Sequence, residues 1–168
     1  MRPEHLVGLD PEEVFVARYG ALFERSPWVA REAWARGPFT GVDDLHAAFV
    51  AAVREAPRER QLALIRAHPE LAGREAQGGE LTAASASEQA SAGLDRLTAQ
   101  EIERWRALNR AYRERFDFPL VVCVREHTKA SIMGWAEERL AHGADEELAV
   151  ALDEIAKIAR LRLEELDA

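Results

Sequence analysis

A chain of 168 residues, 48% hydrophobic and 31% charged, carries enough apolar side chains for one compact core. Its net charge of -8, with no dense Lys/Arg block, argues against nucleic acid and anionic membranes as partners. Its single cysteine, Cys123, excludes an intramolecular disulfide and a Cys-rich zinc site. Bulk charge says nothing about one cleft, so a local basic pocket for a small anion stays open. The N-terminus MRPEHLVGLD is too polar for a signal peptide, and no stretch is long and apolar enough to span a membrane. The closing Leu166-Asp167-Ala168 is not a peroxisomal address. The expectation is a soluble protein of the reducing cytoplasm.

Helix signals then dominate in chain order. Asp10-Pro11 reads as N-cap and first-turn proline of a helix to about Tyr19, and Ser26-Pro27 repeats the device ahead of Trp28, Val29, Ala33 and Trp34. Gly37-Pro38 closes that helix. Residues 42 to 55 carry Leu45, Ala48, Phe49, Ala52 and Val53 at i, i+3, i+4 spacing. Pro57 opens a short helix that should stop at His68, because Pro69 biases the residue before it away from the α region.

A polar stretch with Gly73, Gly78 and Gly79 reads as a loop. Ser85-x-x-Glu88 and Thr98-x-x-Glu101 are capping-box patterns, the first opening a helix through Leu94 and Leu97, the second one through Trp105 and Tyr112. Residues 118 to 124 are the one strand-like run. With no second strand to pair with, they read as a buried extended connector or a helix start. Helices over about 126 to 141 and 145 to 166 complete an all-α reading: a single compact domain, residues 1–168, of about eight helices.

Three residues break the bland pattern. At 100° per residue, Leu148, Leu152, Ile155, Ala159, Leu163 and Leu166 form one face of the last helix, and Arg162 falls inside it, whereas Arg160 falls on the charged side. A buried guanidinium needs an anionic partner. That partner is either an internal carboxylate or a substrate carboxylate held by the donor fork, unless the side chain snorkels outward. His68 sits at a helix end, where it either caps and packs or presents a ring nitrogen to a cleft. Glu88 either completes the Ser85 capping box or serves chemistry. Cys123, inside Leu120-Val121-Val122-Cys123-Val124, reads as a small buried hydrophobe. Trp28, Trp34, Trp105 and Trp135 read as core. His5, His46, His127 and His142 lack metal-ligand spacing, and neither a zinc-helix motif nor a phosphate-binding glycine loop is present.

Several segments together resemble the 2-oxo-4-hydroxy-4-carboxy-5-ureidoimidazoline (OHCU) decarboxylase family. They are Leu22-Phe23-Glu24-x-Ser26-Pro27-Trp28, Ala67-His68-Pro69-Glu70-Leu71, and Leu81-Thr82-x-x-Ser85-x-Ser87-Glu88-Gln89-x-x-Ala92-Gly93-Leu94. Leu108-Asn109-x-x-Tyr112, Phe116-x-Phe118-Pro119-x-Val121-Val122-Cys123 and Glu154-Ile155-x-x-Ile158-x-x-x-Arg162-Leu163 follow in order. Asp117 stands where the pattern leads one to expect glycine. The resemblance implies an all-helical homodimer that takes a small-molecule substrate without metal or organic cofactor. It implies His68 as proton donor with Glu88 beside it. Pro69, Ser85, Ala86, Ser87, Gln89, the Leu120, Val121, Val122, Cys123 and Val124 backbone, and Arg162 would line the substrate site.

The implied reaction suits these residue types. Loss of CO₂ leaves an electron pair that delocalises into the neighbouring ring C=N bond, so the substrate is its own electron sink. Positioning, proton transfer and control of the product's hand remain for the protein. Two other readings compete: a non-catalytic helical interaction module, and a metal-assisted amidohydrolase, which needs converging ligands. A racemase or hydrolase acting on allantoin is a nearer alternative.

Overall fold

The computed structural model describes residues 6–73 and 79–166. Among these residues lie eight α-helices, two 3-10 turns and no strand beyond an isolated antiparallel bridge, Val7 to Phe39. The all-α expectation holds. The contacts divide the chain into two compact units, described in turn: the part up to Ala67 together with the part from Ala156 onward, and His68–Ile155.

The first unit contains α1 (Glu12–Tyr19), a 3-10 turn (Gly20–Leu22), α2 (Trp28–Trp34), α3 (Val42–Arg54) and α4 (Arg58–Arg66). It also holds the second half of the last helix, α8 (Ala144–Leu166). Pro11 and Pro27 stand one position outside their helices rather than at the first helical residue. The stripe read from residues 42 to 55 is the buried face of α3: Leu45, Ala48, Phe49, Ala52 and Val53. Phe49 meets Phe15, Tyr19 and Phe23 with ring centroids 5.6–6.3 Å apart, within the range of favourable aromatic pairs. The Asp44 carboxylate accepts from the N–H groups of Thr40 (2.6 Å) and Gly41 (2.8 Å) at the start of α3. Those bonds, the one from Thr40 foremost, hold its pKa below the usual value.

The second unit contains α5 (Ala83–Ser91), α6 (Ala99–Phe116), a 3-10 turn (Val124–Glu126), α7 (Lys129–Arg139) and the first half of α8. Two expectations need correction here. The α5 cap is Thr82, whose hydroxyl accepts from the Ser85 N–H, so Ser85 lies inside the helix and Glu88 completes no capping box with it. The helix also ends at Ser91, and the chain passes through Gly93 at φ 79, so Leu94 and Leu97 lie beyond it. The Thr98–Glu101 box is formed as expected. Asp117 closes α6 in the left-handed conformation, φ 61, which explains the expectation of glycine there; Asp is among the residues that tolerate it. Phe118 to Cys123 is buried and non-helical and runs into the 3-10 turn, as the connector reading requires. Of the four tryptophans only Trp105 is buried; Trp28, Trp34 and Trp135 are half-buried. Leu166, placed on the apolar face of α8, is exposed.

Candidate active site

α4 ends at Arg66, and Ala67 and His68 turn the chain into Pro69. His68 is buried, 7% exposed. The residues after it are held by side chains from two helices. The Gln89 amide on α5 accepts from the Ala72 N–H (3.0 Å) and donates to the Glu70 carbonyl (3.4 Å). On α6, Asn109 Nδ2 donates to the Leu71 carbonyl (2.9 Å) and Arg113 Nε to the Glu70 carboxylate (2.9 Å). Ala72 is enclosed at φ 51, a left-handed conformation that costs a non-glycine residue about 1–2 kcal/mol. The hydrogen bond from its N–H to Gln89 helps hold it there. At Gly73 a Cβ would lie 2.8 Å from the Glu70 Cβ, so the turn closes only around a glycine.

The Thr82 cap sets the rotation of α5. Ser85, Glu88 and Gln89 are buried at i, i+3, i+4, whereas the side chains of Ala86 and Ser87 are exposed. The sequence reading treats 85 to 89 as one block; the helix splits it into an inward triplet and an outward pair. With the capping box excluded, Glu88 is a mid-helix carboxylate, 8% exposed, and Gln89 beside it ties its helix to the loop that carries His68. A cavity of about 260 Å³ lies along α5, lined by Ala86, Gln89 and Ala90 together with Gly79, Leu81, Leu94 and Asp95. At 100° per residue Ala86 and Ala90 stand roughly 160° from Glu88, whereas Gln89, which also lines that mostly apolar hollow, is buried beside the carboxylate.

α5 packs against the 3-10 turn Val124–Glu126 and so against the end of the buried connector. All five residues from Leu120 to Val124 are buried. Arg139 Nη1 donates to the Val121 carbonyl (2.6 Å), and the Cys123 N–H donates to Glu154 Oε1 (3.2 Å). Arg139 is wholly enclosed and paired with the equally enclosed Glu147. Glu147 also accepts from the Tyr112 hydroxyl (2.5 Å), and its second oxygen lies 3.0 Å from His142 Nδ1. Burial, and more weakly the bond to Glu147, push the Tyr112 phenol well above its ordinary pKa. The sequence reading gives no role to Arg139, Glu147 or Glu154. A signal existed: Glu147 and Glu154 are seven residues apart, on the same stripe as the buried Ala151 and Ile158.

In the other unit, Arg162 is buried, with Nη2 3.1 Å from the Glu24 carboxylate and Nη1 3.4–3.5 Å from the carbonyls of Leu22 and Ala21. Of the partners left open by the sequence, an internal carboxylate is the one present. Arg160 lies on the charged face, bonded to Glu164 and Asp43 at 2.8 Å each, which raises its pKa. The helical wheel therefore separates the two arginines correctly. Among the described residues no cluster of three His, Cys, Asp or Glu side chains is arranged to hold a metal ion, and no helix is long and apolar enough to cross a membrane.

The family model described as OHCU decarboxylase matches residues 10–164. The chain belongs to the OHCU decarboxylase family. It is 45% identical over 154 residues to the 2-oxo-4-hydroxy-4-carboxy-5-ureidoimidazoline decarboxylase of Haloferax volcanii, covering 92% of this chain and 89% of that one. It is 42% identical over 155 residues to the protein of the same name from Halalkalicoccus jeotgali, covering 92% and 86%. Among solved structures, a crystal structure of (S)-allantoin synthase superposes with TM-score 0.72 at 28% identity, over 95% of this chain. The chain spans 51% of that structure's length.

Proposed function

We propose that this protein decarboxylates 2-oxo-4-hydroxy-4-carboxy-5-ureidoimidazoline to (S)-allantoin, the third step of urate degradation, as a carboxy-lyase that needs no metal or organic cofactor. Beyond family membership, one observation carries this reading: Gln89 ties the helix of Glu88 to the loop of His68, with both titratable groups buried. Buried titratable groups held on a braced frame are what proton transfer requires.

The reaction breaks the bond to the carboxyl carbon and sends its electron pair into the adjacent C=N bond. The ring nitrogen of that bond takes up a proton from solvent, the substrate hydroxyl becomes a carbonyl as it loses its proton, and a proton must reach one face of the neighbouring ring carbon to set the hand of the product. His68 is the proton donor, and Glu88 orients the imidazole and stabilises its cation. Gln89 has one N–H and one lone pair committed to Glu70 and Ala72. Its second N–H and second lone pair remain to read the ureido and ring amides. The backbone of Leu120 to Val124 offers further donors and acceptors, with Pro69 and Ser85 completing the wall. The protein works as a homodimer in the cytoplasm.

The test adds purified protein to urate oxidase plus hydroxyisourate hydrolase and follows circular dichroism. One allantoin enantiomer, formed faster than the spontaneous decay of the intermediate, is the expected result. Racemic allantoin at the spontaneous rate would overturn the proposal.

A further inference from the structure

The connector Leu120–Val124 is an unusual element to place beside a reaction. Its residues Leu120 to Cys123 are buried, non-helical and paired with no strand, so most of their backbone groups need partners from side chains; the Cys123 carbonyl accepts instead from the Glu126 N–H (3.1 Å). Two side-chain partners are supplied on alternate residues. The Val121 carbonyl accepts from Arg139 Nη1 at 2.6 Å, and the Cys123 N–H donates to Glu154 Oε1 at 3.2 Å. The clamp on residues 121 and 123 holds the main chain on both sides of Val122.

Both clamping groups are themselves immobilised. Arg139 has no solvent exposure; its guanidinium is paired with Glu147, and it lies 4.8 Å above the Trp135 ring. Glu147 is anchored in turn by the Tyr112 hydroxyl. Glu154 is 1% exposed on the first half of α8. Burying two charged side chains to satisfy two backbone groups is a costly way to fill a core, since apolar residues of similar size often stabilise as well or better. The arrangement does give a rigid, defined backbone edge, which substrate recognition by main-chain groups requires.

We infer that Arg139 and Glu154 are positioning residues: they clamp the carbonyl of Val121 and the amide of Cys123 so that the intervening main chain meets the substrate in one fixed register. The inference rests on the function proposed above. Neither side chain touches the reacting atoms. Their contribution is to substrate affinity and to which face of the ring is presented, with proton transfer left to His68 and Glu88.

The test compares Glu154→Gln, Glu154→Ala and Arg139→Lys with the wild-type protein, using enzymatically generated substrate at temperatures well below each variant's own Tm. Gln keeps an acceptor for the Cys123 amide but loses its charge. Lys keeps a charge opposite Glu147 but lacks the fork that serves Glu147 and Val121 together. KM is expected to rise in the order wild type, Glu154→Gln, Glu154→Ala, by about twofold and then about tenfold, the scale of one hydrogen bond. Arg139→Lys should resemble Glu154→Ala. Enantiomeric purity of the allantoin should fall with rising KM, while the pH profile of kcat, set by His68 and Glu88, stays in place. Folded variants with wild-type KM and a single enantiomer overturn the inference, as does a loss confined to the amount of folded protein. If Glu154→Ala and Arg139→Lys do not fold, Glu154→Gln decides: unchanged KM and unchanged exchange of the Cys123 amide hydrogen sink the idea. Wild-type protein that makes no allantoin faster than the spontaneous reaction sinks the functional reading itself, a result distinct from all of these.

Discussion

Arg162 Nη2 lies 3.1 Å from a carboxylate oxygen of Glu24, and both side chains are buried. The two residues are 138 positions apart in sequence, so the pair links the end of the chain to its beginning within one unit. Removing one member leaves the other charged and desolvated, which is the costly way to break a buried pair. Arg162→Ala is expected to lose about 3–5 kcal/mol of unfolding free energy. Glu24→Gln, which keeps an acceptor, should lose less. Urea denaturation followed by far-UV circular dichroism measures both. A loss below about 1 kcal/mol for Arg162→Ala would mean that the pair is solvated in solution.

Arg160, two residues away, provides the control. It is bonded to Glu164 and Asp43, but Asp43 is almost wholly exposed, so both bonds are surface ion pairs. Arg160→Ala should change stability by no more than about 0.5 kcal/mol and leave turnover unchanged. Equal effects from the two arginines in melting and kinetics would show that the face assignment on α8 carries no energetic meaning.

The contrast between these arginines also shows what the sequence makes legible. Helical periodicity separates Arg162 from Arg160 because burial in a helix follows rotation about the axis, and rotation can be counted. The same count places Phe49 and Leu45 inward on α3. It fails at Glu88, where a local pattern, Ser-x-x-Glu, mimics a cap; Thr82 wins the position because its hydroxyl accepts from the Ser85 N–H three residues on. It is silent on the partners of buried charges. Glu24 for Arg162, and Glu147 for Arg139, are fixed by tertiary packing, and nothing in local spacing encodes which carboxylate meets which guanidinium. The role of Gln89 as a brace for the His68 loop was missed for the same reason: its contacts are to backbone groups 17 and 19 residues earlier.

That brace can be tested at Gly73. A methyl group there would sit 2.8 Å from the Glu70 Cβ, so Gly73→Ala must push Glu70 away and disturb its bond to Arg113. Overpacking of this kind costs about 1–3 kcal/mol. The strain falls on the loop that carries His68, so kcat is expected to drop about tenfold or more while Tm shifts by only a few degrees. Wild-type kcat in Gly73→Ala would show that the loop geometry does not control the placement of His68.

Tyr112 gives a pH test of the buried cluster. Burial raises the pKa of its phenol above the ordinary value of 10.0. A group whose folded pKa is raised contributes stability that is present below its unfolded pKa and is lost as pH rises toward the folded value. Wild-type stability should therefore fall as pH climbs above about 10, the unfolded tyrosine value. Tyr112→Phe should fall less steeply there, while at neutral pH it costs about 1 kcal/mol for the lost hydrogen bond to Glu147. Chemical denaturation at a series of alkaline pH values measures the slope. Identical slopes for the two proteins would place Tyr112 outside the cluster in solution.

The last prediction concerns His68. If it only ends α4 and packs, Asn should replace it with little loss, since Asn is well accepted just past helix C-termini. If it donates the proton, His68→Asn removes the only group at that position able to titrate near neutrality, and the rate should fall by about 10²–10⁴. Tm should stay near wild type, because Asn remains polar at a site that is not wholly enclosed. Glu88→Gln should show a smaller fall: Gln still orients an imidazole but does not stabilise its cation. The intermediate also decays without enzyme to racemic allantoin, so rate alone is an ambiguous readout at the low end. The hand of the product resolves it. Residual turnover that still yields one enantiomer in His68→Asn would mean that the site survives and another group delivers the proton. Racemic product at the spontaneous rate, from a protein that melts like wild type, is the outcome expected if His68 sets the stereocentre.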